Sequence, residues 1–381
     1  MAVSLHCAFT ADPAPAVPLS RPSSLQDVSS RLSTDADLLH IHQVCAHWRA
    51  STSALVALRP WIIAGREPWQ EVGPIGEYSF WLPHGGRREF CPGAPAGLRY
   101  CCGAPRGWLA LTDCAQSPTR LVLWEPISKA EIFLPCLPAV AQIFLSGDPL
   151  ASAGWTAVAN QKTLFSSGAR RLFFWRPGDA AWSPLHDRVF CRIDSAAFHH
   201  GRAYLIDAAW RLRIYDLGGA STPRLVRNTP FRLSAEKELS FQVMRSLHAV
   251  PCGGECLLVL VYGGHRPARA EVHRLEVAAE PLVEIGQRVR DLGEHSLFVG
   301  RGDAFALSAK EFPAVRKNCV YYAEHGNFWR ERCWATIFDL GSGSLERIPY
   351  PDDPSREDGS GCWQAYSWFC LKEPLLKEQC A

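Results

Sequence analysis

The chain lacks any apolar run near the roughly 18 residues that a helix needs to cross a bilayer. Its best, Cys256 to Tyr262, is only strand-sized, so no membrane partner is expected. There is no basic run of five or more, and the net charge is +2. No electrostatic footprint for nucleic acid is therefore present. The fifteen cysteines are odd in number and nowhere spaced Cys-x-x-Cys. The closest spacing, Cys252-Gly-Gly-Glu-Cys256, has no second pair at a zinc-like distance, so it suggests neither a metal site nor a redox pair. Scattered thiols of this kind suit a reduced compartment, cytoplasm or nucleus. The first twenty residues have no basic start, carry Asp12, and are broken by Pro13, Pro15 and Pro18. They are expected to form a disordered lead-in over residues 1–19, not a secretory signal. The first arginine stands at position 21, which argues against organelle targeting.

Reactive constellations are also missing. No Gly-x-Ser-x-Gly elbow, His-Glu-x-x-His, Gly-Lys phosphate loop or Gly-x-Gly-x-x-Gly occurs. The acids sit mostly in turns, such as Asp179, Asp216 and Asp339, where a carboxylate bonds its own backbone. The expectation is a non-enzyme with no cofactor and no metal. His199-His200 precedes Gly201-Arg202 and is assigned to a tight turn, since no third ligand lies at useful spacing. Arg301-Gly302-Asp303 spells an adhesion tripeptide and is expected to be an ordinary β-turn. Residues 352–361 form a polar loop.

What is abundant is strand texture. From Tyr78 onward, short runs rich in Trp, Phe, Val and Leu alternate with Gly/Pro/Asp turns. The runs recur: Tyr78-Ser-Phe-Trp, Leu121-Val-Leu-Trp, Leu172-Phe-Phe-Trp, Leu212-Arg-Ile-Tyr, Glu271-Val-His-Arg and Ala335-Thr-Ile-Phe, each leading through a turn to another strand. Their mean spacing is about 51 residues, in the range of four-stranded propeller blades. A lone hairpin cannot bury both faces, whereas blades stacked round an axis cover one another. The fold class is thus mainly β, a β-propeller of five to seven and about six blades over residues 55–381. In Pro177-Gly178-Asp179 the turn places Phe174 or Trp175 to meet Trp182 across the hairpin.

Ahead of the strands, residues 20–54 form a small helical head. Asp35 to Ser51 has the spacing of one helix, with Leu38, Ile41, Cys45 and Trp48 on an apolar stripe and Val44 beside it. Thr34 and Asp37 have the form of a capping box. A helix this short needs a neighbour, its own chain or another protein.

Asp37-Leu38-Leu39 followed by Val44-Cys45-Ala46-His47-Trp48-Arg49, with Arg31-Leu32 upstream, resembles the second half of an F-box. The first helix of that motif looks shortened by about a turn, with Leu25-Gln-Asp-Val28 in place of the usual Leu-Pro start. The strands resemble those of plant F-box proteins carrying a Kib-type β-propeller. The matching residues are Gly107-Trp-Leu109, Leu123-Trp-Glu-Pro126, Phe174-Trp-Arg-Pro-Gly-Asp179 with Trp182, Phe198-His-His-Gly-Arg-Ala-Tyr204, Asp291-Leu-Gly293, Leu297-Phe-Val-Gly300, Lys317-Asn-Cys-Val-Tyr-Tyr322, Phe338-Asp-Leu340 and Trp368-Phe369. The resemblance implies a substrate receptor of a Skp-cullin-F-box ubiquitin ligase. Its adaptor would be a Skp-type protein held by Leu25, Val28, Leu32, Leu38, Leu39, Val44 and Trp48, and its propeller would hold an unidentified target protein. The alternative is a propeller interaction module whose degenerate F-box no longer binds the adaptor.

Overall fold

The computed structural model describes residues 24–32, 37, 41, 44–51, 60–65, 75–76, 78–81, 83 and 87–88. From 95 onward it describes all but 127, 153, 163–169, 190–191, 220–221, 232–243, 264–267, 277–283, 324–332, 350–363 and 371–381. The chain divides into two compact units, Met1–Ala54 and Leu55–Ala381.

In the first unit, helix α1 spans Ser24–Arg31, with Asp27 in its first turn and Arg31 in its last. Both charges complement the helix dipole. A second helix, α2, spans Ala46–Ser51 and touches α1. Asp37, Ile41 and Val44 are helical too, but Cys45 is not. The single helix expected over Asp35 to Ser51 is therefore interrupted. The run His40-Ile-His-Gln-Val44 is made of residues of modest helix propensity, with two β-branched side chains crowding the turn before them. The interruption also shifts the phase of the stripe: Ile41 is buried, whereas Val44 and Cys45 are exposed. Leu38, Leu39, the Thr34 cap, the 1–19 lead-in and the 352–361 loop lie outside the described residues.

The second unit is a six-bladed β-propeller, with six sheets among the described residues. Blade three shows the pattern: Val140–Leu145, Ala157–Lys162, Arg170–Trp175 and Ser183–Val189 run antiparallel in sequence order from the axis outward. Burial follows the same gradient. The innermost strand of blade three is wholly buried, while the outermost strand of blade two, Glu131–Leu134, is largely open. All six sequence repeats begin in the strand next to the outer edge of a blade: Tyr78–Trp81, Leu121–Trp124, Arg170–Trp175, Arg211–Asp216, Arg269–Glu276 and Cys333–Asp339. Blade one takes its innermost strand, Gln364–Phe369, from late in the chain and pairs it antiparallel with Trp61–Gly65. That pairing closes the ring.

Apolar clusters fill the seams between blades. Trp81 of blade one meets Trp334 of blade six edge-on at 5.8 Å between ring centroids, within a cluster that also holds Ile62, Phe298 and Trp368. Comparable clusters join blades two and three, three and four, four and five, and five and six. The aromatic residues are thus mortar between sheets, each burying a large area against its neighbour. The expected hairpin contact is present as Trp175 to Trp182, at 6.5 Å. Asp179 accepts a bond from the Arg176 N–H at 3.0 Å, and Gly178 takes a φ of +96° at the turn.

Candidate functional site

Buried polar side chains on several innermost strands tie neighbouring blades together. Gln142 of blade three donates to the Ile193 carbonyl of blade four at 2.9 Å, and Ser195 of blade four accepts from the Ala249 N–H of blade five at 3.1 Å. His199-His200 lies at the predicted turn, His200 at φ +46° and Gly201 at +69°. His199 Nε2 donates to the Gly254 carbonyl at 3.0 Å. Cys252 and Cys256 flank the Gly253-Gly254 turn but face opposite seams, Cys252 toward blade six and Cys256 toward blade four. They cannot chelate one ion or form a bond with each other across that turn. Among the described residues no group of three His, Cys, Asp or Glu is placed to hold a metal.

The adhesion-like tripeptide is not a surface turn. Leaving His295–Val299 of blade six, the backbone pairs Gly302–Asp303 in parallel with Ser195 and Ala196 of blade four. Arg301 donates its N–H to the Tyr366 carbonyl of blade one at 3.2 Å, and Asp303 Oδ2 accepts from the Arg106 N–H of blade two at 3.1 Å. This segment of blade six therefore touches blades one, two and four. Glycine permits this path: Gly302 adopts φ +100°, and a β-carbon on Gly300 would stand 3.1 Å from that of Ala323.

The parallel pairing sets Arg301 beside Asp194, the residue before Ser195. Asp194 is already held by Arg192, whose Nε lies 2.5 Å from Oδ1. Burial pushes the Asp194 carboxyl up, and Arg192 pulls it back. Arg301 faces the charges of Arg192 and Asp194 and the rings of Tyr366 and Tyr322. Burial first, and Arg192 next, weigh against its charge. Its Nε is buried with no hydrogen-bond partner among the described residues. Tyr366 is itself raised by burial, and its surroundings include Cys101, Cys102 and Arg170. Cys101 is pushed up to about 12 by burial, which leaves its thiol protonated at neutral pH. None of Arg192, Asp194, Arg301 or Tyr366 was singled out for function in the sequence. The available signal was a charged residue inside an apolar strand, Asp194 after Ile193, and an arginine between Gly300 and Gly302.

Of the residues the sequence assigns to adaptor binding, Val28 is 47% exposed and Val44 is 57% exposed. Leu25, Leu32 and Trp48 are half-buried. The structure thus leaves apolar surface on this unit.

A family model described as the KIB1-4 β-propeller matches residues 78–368. The chain belongs to the KIB1-4 β-propeller family. That stretch covers most of the second unit and includes the channel residues Arg192, Asp194 and Arg301. No curated protein matches the chain. Solved structures with a similar path are remote. A quinonprotein alcohol dehydrogenase-like protein from Bacteroides thetaiotaomicron is 6% identical with a TM-score of 0.39, covering 84% of this chain and 80% of that one. BBS1N, solved in complex with ARL6DN, is 10% identical with a TM-score of 0.33, covering 75% and 80%. The N-terminal domain of Nup159 is 10% identical with a TM-score of 0.31; the match covers 68% of this chain and 65% of that domain. The family match, not these likenesses, identifies the KIB1-4 propeller.

Proposed function

We propose that the protein is a substrate receptor of a Skp-cullin-F-box ubiquitin ligase. The first unit engages a Skp-type adaptor through Leu25, Val28, Leu32, Leu38, Leu39, Val44 and Trp48, and the propeller's loop face holds a target protein. The chain then contributes proximity, not chemistry: holding a target's lysines near a charged conjugating enzyme raises their effective concentration. The observation that supports this reading is the pair of exposed valines, Val28 and Val44, the first on an eight-residue helix too short to be stable without a neighbour. Apolar side chains so placed are suited to a partner's groove.

Co-purification tests it. The full chain should recover a Skp-type adaptor, and a chain starting after Ser53 should not. Val28→Asp with Val44→Asp should reduce recovery at least about tenfold, since each buries a charge in an apolar contact. Equal recovery by all three would remove the ligase assignment. The interruption at Cys45 favours a second reading, a propeller interaction module that works without the adaptor. For that module the same experiment recovers a target but no adaptor.

A further inference from the structure

We propose that the propeller axis holds a small oxyanion, a phosphate or carboxylate group, bound by Arg301 with Arg192 at its side. Arg301 is fixed by its backbone, through its N–H to Tyr366 and the pairing of the next two residues with blade four. Its guanidinium makes no hydrogen bond or ion pair to any described residue, and its Nε is out of reach of water. The carboxylate that faces it, Asp194, is committed to Arg192 at 2.5 Å. The neighbouring carboxylate Asp207 is committed to Arg213 at 2.7 Å, and Asp303 accepts from the Arg106 N–H. Arg301 is thus a cation that neither Asp194 nor Asp207 holds in an ion pair. A guanidinium whose enclosed Nε lacks an acceptor is stabilised when an anion supplies one. The planar fork of arginine suits a two-oxygen ligand, and the second guanidinium of Arg192 widens the receptive surface. Arg192 is 32% exposed and Arg301 half-buried, so a dissolved anion can reach them beside the buried rings of Tyr366 and Tyr322.

The test uses the full chain and two probes, inorganic phosphate and citrate, against sodium chloride at matched ionic strength. Thermal melting should shift upward and saturate with phosphate, citrate or both, and not with chloride. A shift with phosphate alone assigns a phosphate ligand, and one with citrate alone a carboxylate. Arg301→Gln should weaken the response roughly ten- to hundredfold, the size of a charged hydrogen-bond pair. Arg301→Lys, which keeps the charge but not the fork, should fall between the two. In chloride, Arg301→Gln should melt at or above the parent temperature, because it deletes an unpaired charge. Line broadening of the phosphorus resonance of phosphate by the parent chain, reversed by citrate, gives a readout independent of any variant. The proposal is overturned if neither probe exceeds chloride or if Arg301→Gln responds like the parent. It is also overturned if that variant melts well below the parent in chloride, which would mean that the protein itself satisfies the guanidinium.

Discussion

At the scale of single residues, the strongest constraints are those that local pattern does not encode. Gly103 takes a φ of +140°, and a β-carbon there would lie 2.9 Å from the Ile143 carbonyl of the next blade. Gly103→Ala should therefore cost about 2 kcal/mol or more, read as a lower midpoint in urea. An unchanged midpoint would contradict this close approach. Burial pushes the His248 imidazole down to about 3, with Ser246 Oγ at 2.9 Å from Nε2. Its folded value lies below the unfolded one near 6.5, so the neutral form is what the fold holds. That contribution is complete above pH 6.5 and is lost as pH falls from there toward 3. Glu271 is held down to about 2, chiefly by its hydrogen bond from His273, so its contribution is complete above about 4.5 and fades as pH falls through 2. Melting temperature should thus decline in two stages on acidification. His248→Gln should flatten the upper stage and Glu271→Gln the lower. These positions, like Asp194 and Arg301, owe their character to contacts distant in sequence, and no window of neighbours reveals them.

At the scale of elements, the seams between blades carry the packing. Trp334→Ala opens a space against Trp81, Ile337 and Trp368 and should cost about 3–5 kcal/mol by chemical denaturation. A double-mutant cycle between Trp81 and Trp334 should return a coupling of about 0.5–1.5 kcal/mol, because their rings meet edge-on. The strands next to the outer edge were readable in the sequence. They combine a bulky apolar run with a Gly- or Asp-bearing turn and an exposed partner, as in Leu172-Phe-Phe-Trp followed by Pro-Gly-Asp. The innermost strands were harder to recognise. Their buried polar residues, Asp194 and Ser195, Ser246 and His248, and Ser367, interrupt the apolar pattern although the strands are mostly enclosed. The helix drawn through Cys45 failed for a related reason: apolar spacing continued across a point where the backbone did not.

For the whole molecule, closure decides stability. A chain ended at residue 363 loses Gln364–Phe369, and with it the inner edge of blade one and the Tyr366 carbonyl that anchors Arg301. Its thermal transition should become broad or vanish. A sharp transition within a few degrees of the parent would show that the ring does not depend on this strand. The propeller and its approximate blade number were legible as a repeat, but the pairing of Trp61 with Phe369 was not, since nothing local marks partners about three hundred residues apart. The same pairing governs biosynthesis. At roughly 5–20 residues per second, about 15–60 s separate the translation of Trp61–Gly65 from that of its mate. Throughout that interval the nascent chain presents an unsatisfied strand edge beside a wall of tryptophans, so chaperone capture on the ribosome should be centred on the first blade and released only when the last strand emerges.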